Sequence, residues 1–315
     1  MNEEPLKMEP NASTASSEGP EKRGGTVPEW RKFAINSMAL TVAFGFVWFD
    51  LIKLVLHSEL HNHLLLIPFI SIYIWRFIDP PGVAAPSRAL SQWRGIILVL
   101  GWACFGVYLR LRSRGGPVTE HLWLGVLAYL LSLWSIALWT VGAARLKEHA
   151  FALGFLVFFI PLPLAVTDFF SVALQHGSAE LADWTLRATG LPVLREGMDF
   201  RLPGLTVRVA EECSGVRSTL VLFITSLVAG KMFLQSPGKR VVLVLATIPL
   251  GLLRNALRIT IISWLTVNVD RGIINGPIHN QGGLVLFPLS LVPLFVLMWW
   301  FRKTEAAKSS TRNKI

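Results

Sequence analysis

Ala210-Glu211-Glu212-Cys213-Ser214-Gly215-Val216-Arg217-Ser218 is where a polar, carboxylate-rich approach gives way to an apolar run that continues to about Leu234. The stretch puts Cys213 where a helix enters a membrane. Glu, Cys, Ser and Arg are costly to bury in lipid, so their grouping at such an entrance calls for a functional reading before a packing one. Cys213 reads as a nucleophile, and the rest of the chain as its holder.

Composition supports a membrane reading. Over 315 residues, 52% are hydrophobic, 16% are charged and 12 are tryptophan, with a mean hydropathy of +0.51. These values describe a polytopic membrane protein rather than soluble domains. The net charge of +10 lies mostly between and after the apolar runs, so membrane topology explains it better than a nucleic-acid surface. Cys104 and Cys213 are too few for a disulfide framework, and Cys104, inside an apolar run, reads as a packing residue.

The chain divides into a polar tail (1–32), a first group of about five membrane helices (33–174), a polar extracytoplasmic connection (175–212), about three catalytic membrane helices (213–302) and a basic tail (303–315). Arg31-Lys32 favours a cytoplasmic amino terminus. The expected spans run from about Phe33 to Leu56, Leu64 to Trp75, Gly95 to Leu111, Leu122 to Ala144, Ala150 to Leu174 (bent by Pro161 and Pro163), Cys213 to Leu234, Val241 to Leu265, and Gly283 to Phe301. The fold class is therefore all-α and polytopic, with about eight transmembrane helices and a short extracytoplasmic α/β insertion, a helix and a hairpin, before helix six. Lys231, Lys239 and Arg240 mark the cytoplasmic side. Arg110, Arg112 and Arg114 disobey the charge rule by falling outside. His57, His61 and His63, in the loop after helix one, read as interfacial histidines, because no cysteine or carboxylate pattern completes a metal site.

Three further features accompany Cys213 at the expected outer face: Arg254 and Arg258 late in helix seven, and His279 in the turn-rich Asn275-Gly276-Pro277-Ile278-His279-Asn280-Gln281-Gly282-Gly283 before helix eight. The positive end of a helix and a nearby cation both favour thiolate, the form of cysteine that attacks carbonyls. Ser214 is placed to cap helix six, and Gly215 to let a substrate backbone approach. Arg254 and Arg258, four residues apart, share a helix face. An arginine at the bilayer centre costs about 2.5–3.5 kcal/mol, so each must snorkel, pair or line a polar cavity. Pairing with Glu211, Glu212 or Asp168 is the plain alternative to catalysis. Histidine is the usual acid and base for a thiol nucleophile.

At these residues the chain resembles the exosortase and archaeosortase family of multi-pass membrane cysteine transpeptidases. The resemblance lies in Glu212-Cys213-Ser214-Gly215-Val216-Arg217-Ser218, in Asn255-Ala256-Leu257-Arg258, and in Ile278-His279 followed by Gly282-Gly283 and Phe287, with Gly190-Leu191-Pro192-Val193 and Glu196-Gly197 ahead of the cysteine. It covers the second half, while the earlier helices share only a hydrophobic layout. It implies catalytic Cys213, Arg258 and His279; Arg258 takes the Asn-x-x-Arg position, so Arg254 falls outside the triad and is kept only as a helper, beside Ser214, Gly215, Arg217, Glu212 and Asn255 as supporting candidates. No cofactor is expected, and no metal, since Cys213, His279 and the histidines after helix one show no paired short-range ligand spacing. The implied substrates are exported proteins ending in a short motif, a transmembrane helix and a basic cluster, which are cleaved through a Cys213 thioester and passed to a lipid or cell-surface acceptor. The setting would be the cell membrane, with the active site on the extracytoplasmic side.

Two other readings use the same residues. Intramembrane arginines suit a transporter or an assembly factor for surface polysaccharide, although no internal repeat pairs the halves. A purely hydrolytic protease would need the same cysteine, arginine and histidine.

Overall fold

A computed structural model describes residues 29–78, 92–209, 215–270, 272 and 277–312, with backbone alone at 29, 59, 205, 277–287 and 308–312. The helices are α1 (Glu29–Ala43), α2 (Gly45–His57), α3 (Ile67–Tyr73), α4 (Arg94–Ser113), α5 (Val118–Thr140), α6 (Ala143–Glu148), α7 (Ala150–Phe155), α8 (Leu164–Ala188), α9 (Val216–Phe233), α10 (Pro237–Leu245), α11 (Thr247–Asn268) and α12 (Pro277–Arg312). Strands β1 (Leu194–Glu196), β2 (Asp199–Leu202) and β3 (Leu205–Arg208) lie between α8 and α9. The protein is mostly helical. Among the described residues four helices are long and apolar enough to cross a membrane, or six spans when each of two bent pairs is one span. An expected count of eight adds the runs from Leu64 and from Gly283. The former is a 3-10 segment (Glu59–Leu66), the seven-residue α3 and a π turn (Ile74–Ile78) in succession.

The expected first helix is two, α1 and α2, meeting at 72°. Phe44 at the break is wholly buried, with its ring 4.3 Å from Phe105 and 5.7 Å from Tyr129. The adjacent Gly45 eases the turn. The break after α7 falls at Pro161 and Pro163 as expected, and there Ala150–Phe159 meets α8 at 88°. α8 does not stop near Leu174 but runs to Ala188, because Ala179, Ala182 and Leu186 give its polar second half a buried face. The insertion is a three-stranded antiparallel meander, β1-β2-β3, rather than a single hairpin. The basic tail is helical as far as Arg312.

In the first half, Asp50 of α2 lies buried between α4 and α5. It accepts hydrogen bonds from Tyr108 Oη at 2.7 Å and from Arg112 Nε at 2.8 Å. One of the three arginines that break the charge rule is therefore tied inward to a carboxylate.

In the second half, α9 packs antiparallel to α10 and α11. Gly215 meets Arg254 and Asn255, Thr219 meets Gly251, and Gly230 meets Arg240. α8 runs beside α11 in the same direction, since Gly177 touches Leu252 and the Thr185 and Thr260 hydroxyls lie 2.5 Å apart. α10 and α11 form a continuous 32-residue stretch, about 48 Å against a hydrocarbon core of about 30 Å. α11 therefore overshoots the start of α9 by about 20 Å. That overshoot, the polar half of α8 and the meander share one small core of Ala179, Ala182, Leu186, Phe200, Val209, Ala256 and Ile259.

At the opposite end, Glu305 of α12 caps the α9–α10 turn, its carboxylate accepting from the Gln235 and Ser236 backbone N–H groups at 3.0 Å each. Burial alone would raise this carboxyl, but the two backbone donors, Lys239 and Arg240 hold it below its ordinary 4.5. A depressed folded-state pKa gives stability that is present above the unfolded value and lost as pH falls through the folded one. Glu305→Gln should therefore melt below wild type at neutral pH, with the gap closing as pH drops beneath about 4.5, as thermal unfolding in detergent across pH would show.

Candidate active site

The mouth of α9 is the best-defined part of the site. Gly215 occupies the N-cap with φ +75°, a left-handed conformation that suits glycine. The N-cap is thus Gly215 and not Ser214. Its carbonyl accepts from the Thr219 N–H at 3.0 Å and from Ser218 Oγ at 3.1 Å. Arg254 Nη2 in turn donates to Ser218 Oγ. A Cβ added to Gly215 would lie 3.2 Å from Arg254 Nη2 and 3.3 Å from Asn255 Cγ. Only hydrogen fits comfortably there.

Arg254 and Asn255 are 8% and 2% exposed, and Arg258 is half-buried one turn further along α11. The shared face is as expected. The depth is not: both arginines lie near the middle of the α10–α11 stretch and not late in it. Beside them α8 turns from the exposed Phe169, Phe170 and Val172 to Gln175 and His176 just before Gly177 reaches Leu252. Among the described residues no carboxylate forms an ion pair with Arg254, and its Nη1 is buried without a hydrogen-bond partner. Asp168, offered by sequence as a partner, is exposed on α8.

Cys213, with Glu211, Glu212 and Ser214, lies outside the described residues. His279 falls in the first turn of α12, so it belongs to a helix rather than to the turn-rich approach before one; its side chain is not among those described. Pro277 opens that helix, and proline at a first helical position is a start signal. α12 packs against both α9 and α11. Arg217 is exposed in the first turn of α9.

Sequence gave no hint that the loop after α2 reaches this mouth. Burial pushes the His63 imidazole down, and the Arg217 charge adds to the effect. Its neighbour His61 is pushed down to about 4, by burial and then by His63, with its Nδ1 2.8 Å from Ser58 Oγ. The Glu59–Leu66 segment that carries both histidines packs against α9. Among the described residues no group of three His, Cys, Asp or Glu side chains is placed to hold a metal. Thr219 and Gly251 also escaped the sequence, although small residues spaced four apart on α9 and α11 signal a close helix crossing. Gly251 is the tightest point, since an added Cβ would lie 2.5 Å from Thr219 Oγ1.

Gly215→Ala tests the mouth. A left-handed alanine costs about 1–2 kcal/mol, and its methyl presses on an arginine that Ser218 already holds. The expected result is about a tenfold lower rate, as 1.4 kcal/mol is tenfold, at unchanged protein level; a rate equal to wild type would show that the turn does not govern the chemistry.

No curated protein and no solved structure matches the chain. A family model does, over residues 53–296, from the end of α2 into α12 and so through the first half, where the residues alone showed only a hydrophobic layout. With a match of that extent enclosing the α9 mouth, both arginines and the start of α12, the chain belongs to the transmembrane exosortase family (Exosortase_EpsH).

Proposed function

We propose that this protein is a membrane cysteine transpeptidase that removes the C-terminal sorting helix of exported proteins and hands the remainder to a surface acceptor. Family membership carries the coarser statement, a membrane transpeptidase-type role in sorting. The observation that supports the finer one is the left-handed Gly215 turn, seated against Arg254 and Asn255 with Arg258 one turn beyond. Cys213 is two residues from Gly215, and two trans peptide units span no more than about 7.6 Å. The proposed nucleophile is thereby tethered within that reach of the Gly215 turn, which meets the Arg254 guanidinium at the start of a helix, and a cation and a helix start both favour thiolate.

The Cys213 thiolate attacks the scissile carbonyl carbon, forming a C–S bond and a tetrahedral oxyanion. Arg258 donates hydrogen bonds to that oxygen. His279, as imidazolium, gives its proton to the departing amine as the C–N bond breaks. The apolar helix leaves, and the cargo stays as a thioester. An acceptor amine or hydroxyl, deprotonated by His279, then attacks the thioester and returns the thiolate. Arg254, tied to Ser218, keeps the mouth in register.

The test is to capture the intermediate. Wild-type protein is co-expressed with a tagged substrate bearing a motif, a transmembrane helix and a basic tail, and the membranes are split between hydroxylamine and buffer. A thioester gives an enzyme–cargo adduct that hydroxylamine releases as the cargo hydroxamate. The mass of the mature cargo terminus then separates transfer from hydrolysis. Cleavage with no adduct and equal processing by Cys213→Ala would overturn the reading.

A further inference from the structure

β3 is an edge strand. Val209 N donates to Met198 O at 3.0 Å, so Val209 faces β2, and the alternation of an antiparallel ladder turns the backbone N–H and C=O of Arg208 and Thr206 to the other side. The register agrees, with Phe200 opposite Val207 and Arg201 opposite Thr206. Among the described residues no strand occupies that other side. Thr206 is exposed, and the Arg208 side chain is 76% exposed. An edge of this kind is a template for another extended chain.

Its position gives the edge a use. The underside of the sheet is fixed by Phe200 and Val209 on Ala256 and Ile259 of α11, which stand either side of Arg258 in sequence. Gln175 Nε2 donates to the Val209 carbonyl, and Arg195 bridges to Glu180 at 2.8 Å, so α8 holds the sheet as well. From Arg208 the chain runs directly to Cys213, a distance of at most about 18 Å for a fully extended segment.

We propose that this edge is the docking strand for the substrate: an extended segment of the exported polypeptide, just ahead of the bond that is cut, adds to β3 through the backbone groups of Thr206 and Arg208 and is led to Cys213. The proposal rests on the peptide-cleaving reading above. Strand addition draws affinity from main-chain hydrogen bonds, so one enzyme accepts cargoes of differing sequence ahead of the cut.

The test uses the full-length protein in membranes of cells that also make the tagged substrate. A photo-crosslinking residue is installed as Thr206→p-benzoylphenylalanine, which keeps the backbone N–H, in a Cys213→Ala background so that cargo is not released. Cross-links should map to the cargo segment immediately before its C-terminal apolar helix. Separately, Thr206→Pro deletes the edge N–H without removing a β2–β3 bond, and tail removal should fall at least tenfold below that of Thr206→Ala. Cross-links on a second copy of the chain, on lipid alone or elsewhere in the cargo would overturn the proposal, as would equal processing by the two variants. Should Thr206→Pro fail to accumulate, the cross-link pattern decides. Tail removal that persists with Cys213→Ala alone would instead refute the nucleophile, leaving the docking strand to stand or fall on its cross-links.

Discussion

Tail removal should fall to background in membranes carrying Cys213→Ala, and by about 10²–10³-fold with Arg258→Ala, the loss typical of one oxyanion donor. His279→Ala should cost about 10²–10⁴-fold, the usual contribution of a general acid and base. Arg258→Lys separates charge from geometry: a lysine keeps the cation but loses the planar fork, so partial rescue points to charge and none to bidentate orientation. The readout is the gel mobility of a tagged substrate, with enzyme levels matched by immunoblot. Substrate processed equally by Cys213→Ala would return the chain to the transporter or assembly-factor reading, in which the cysteine is idle and the arginines line a path.

Asp50→Ala should be the most destabilising single change outside the site. The Asp50 side chain is 7% exposed and its carboxylate accepts from both Tyr108 and Arg112, so its loss strands a wholly buried hydroxyl and a guanidinium. Breaking a buried pair by removing one partner costs about 3–5 kcal/mol. The low end is expected, because the Arg112 side chain is 36% exposed and recovers some hydration. About 3 kcal/mol corresponds to a fall in melting temperature on the order of 5–10 °C for a chain of this size. Tyr108→Phe, which leaves the ion pair intact, should cost only about 1 kcal/mol. Melting in detergent would check the order, and Asp50→Ala no worse than Tyr108→Phe would mean that the pair contributes nothing.

Much of the second half was legible because its signals are local. The onset of α9, the proline break before α8 and the common face of Arg254 and Arg258 follow from hydropathy, ring chemistry and helical spacing. What failed to show was set by contacts between distant segments. Phe44 breaks a continuous apolar run without a proline, because Phe105 and Tyr129 receive its ring. Gln175 looked like the end of a span, yet α8 continues because Ala179 and Ala182 find α11. Leu194 is 58% exposed, so its strand reads as loop until β2 pairs with it. His63 has no sequence link to Arg217. The Gly215 cap was within reach, since a glycine just ahead of an apolar helix is itself a backbone signal, and the neighbouring Ser214 drew the assignment away.

The overshoot of α11 past the mouth of α9 bears on how such a protein can be handled. Many surface enzymes are globes on an anchor, and a protease or a shortened gene frees the working part. Here a cut between Val209 and Gly215 leaves the meander and α8 on one fragment, and Arg254, Arg258 and His279 on the other. A cut within α11 divides the wall against which Gly215 is seated. Among the described residues the two fragments share one core, so nanodiscs or native vesicles, rather than a trimmed domain, are the material in which inhibitors should be sought.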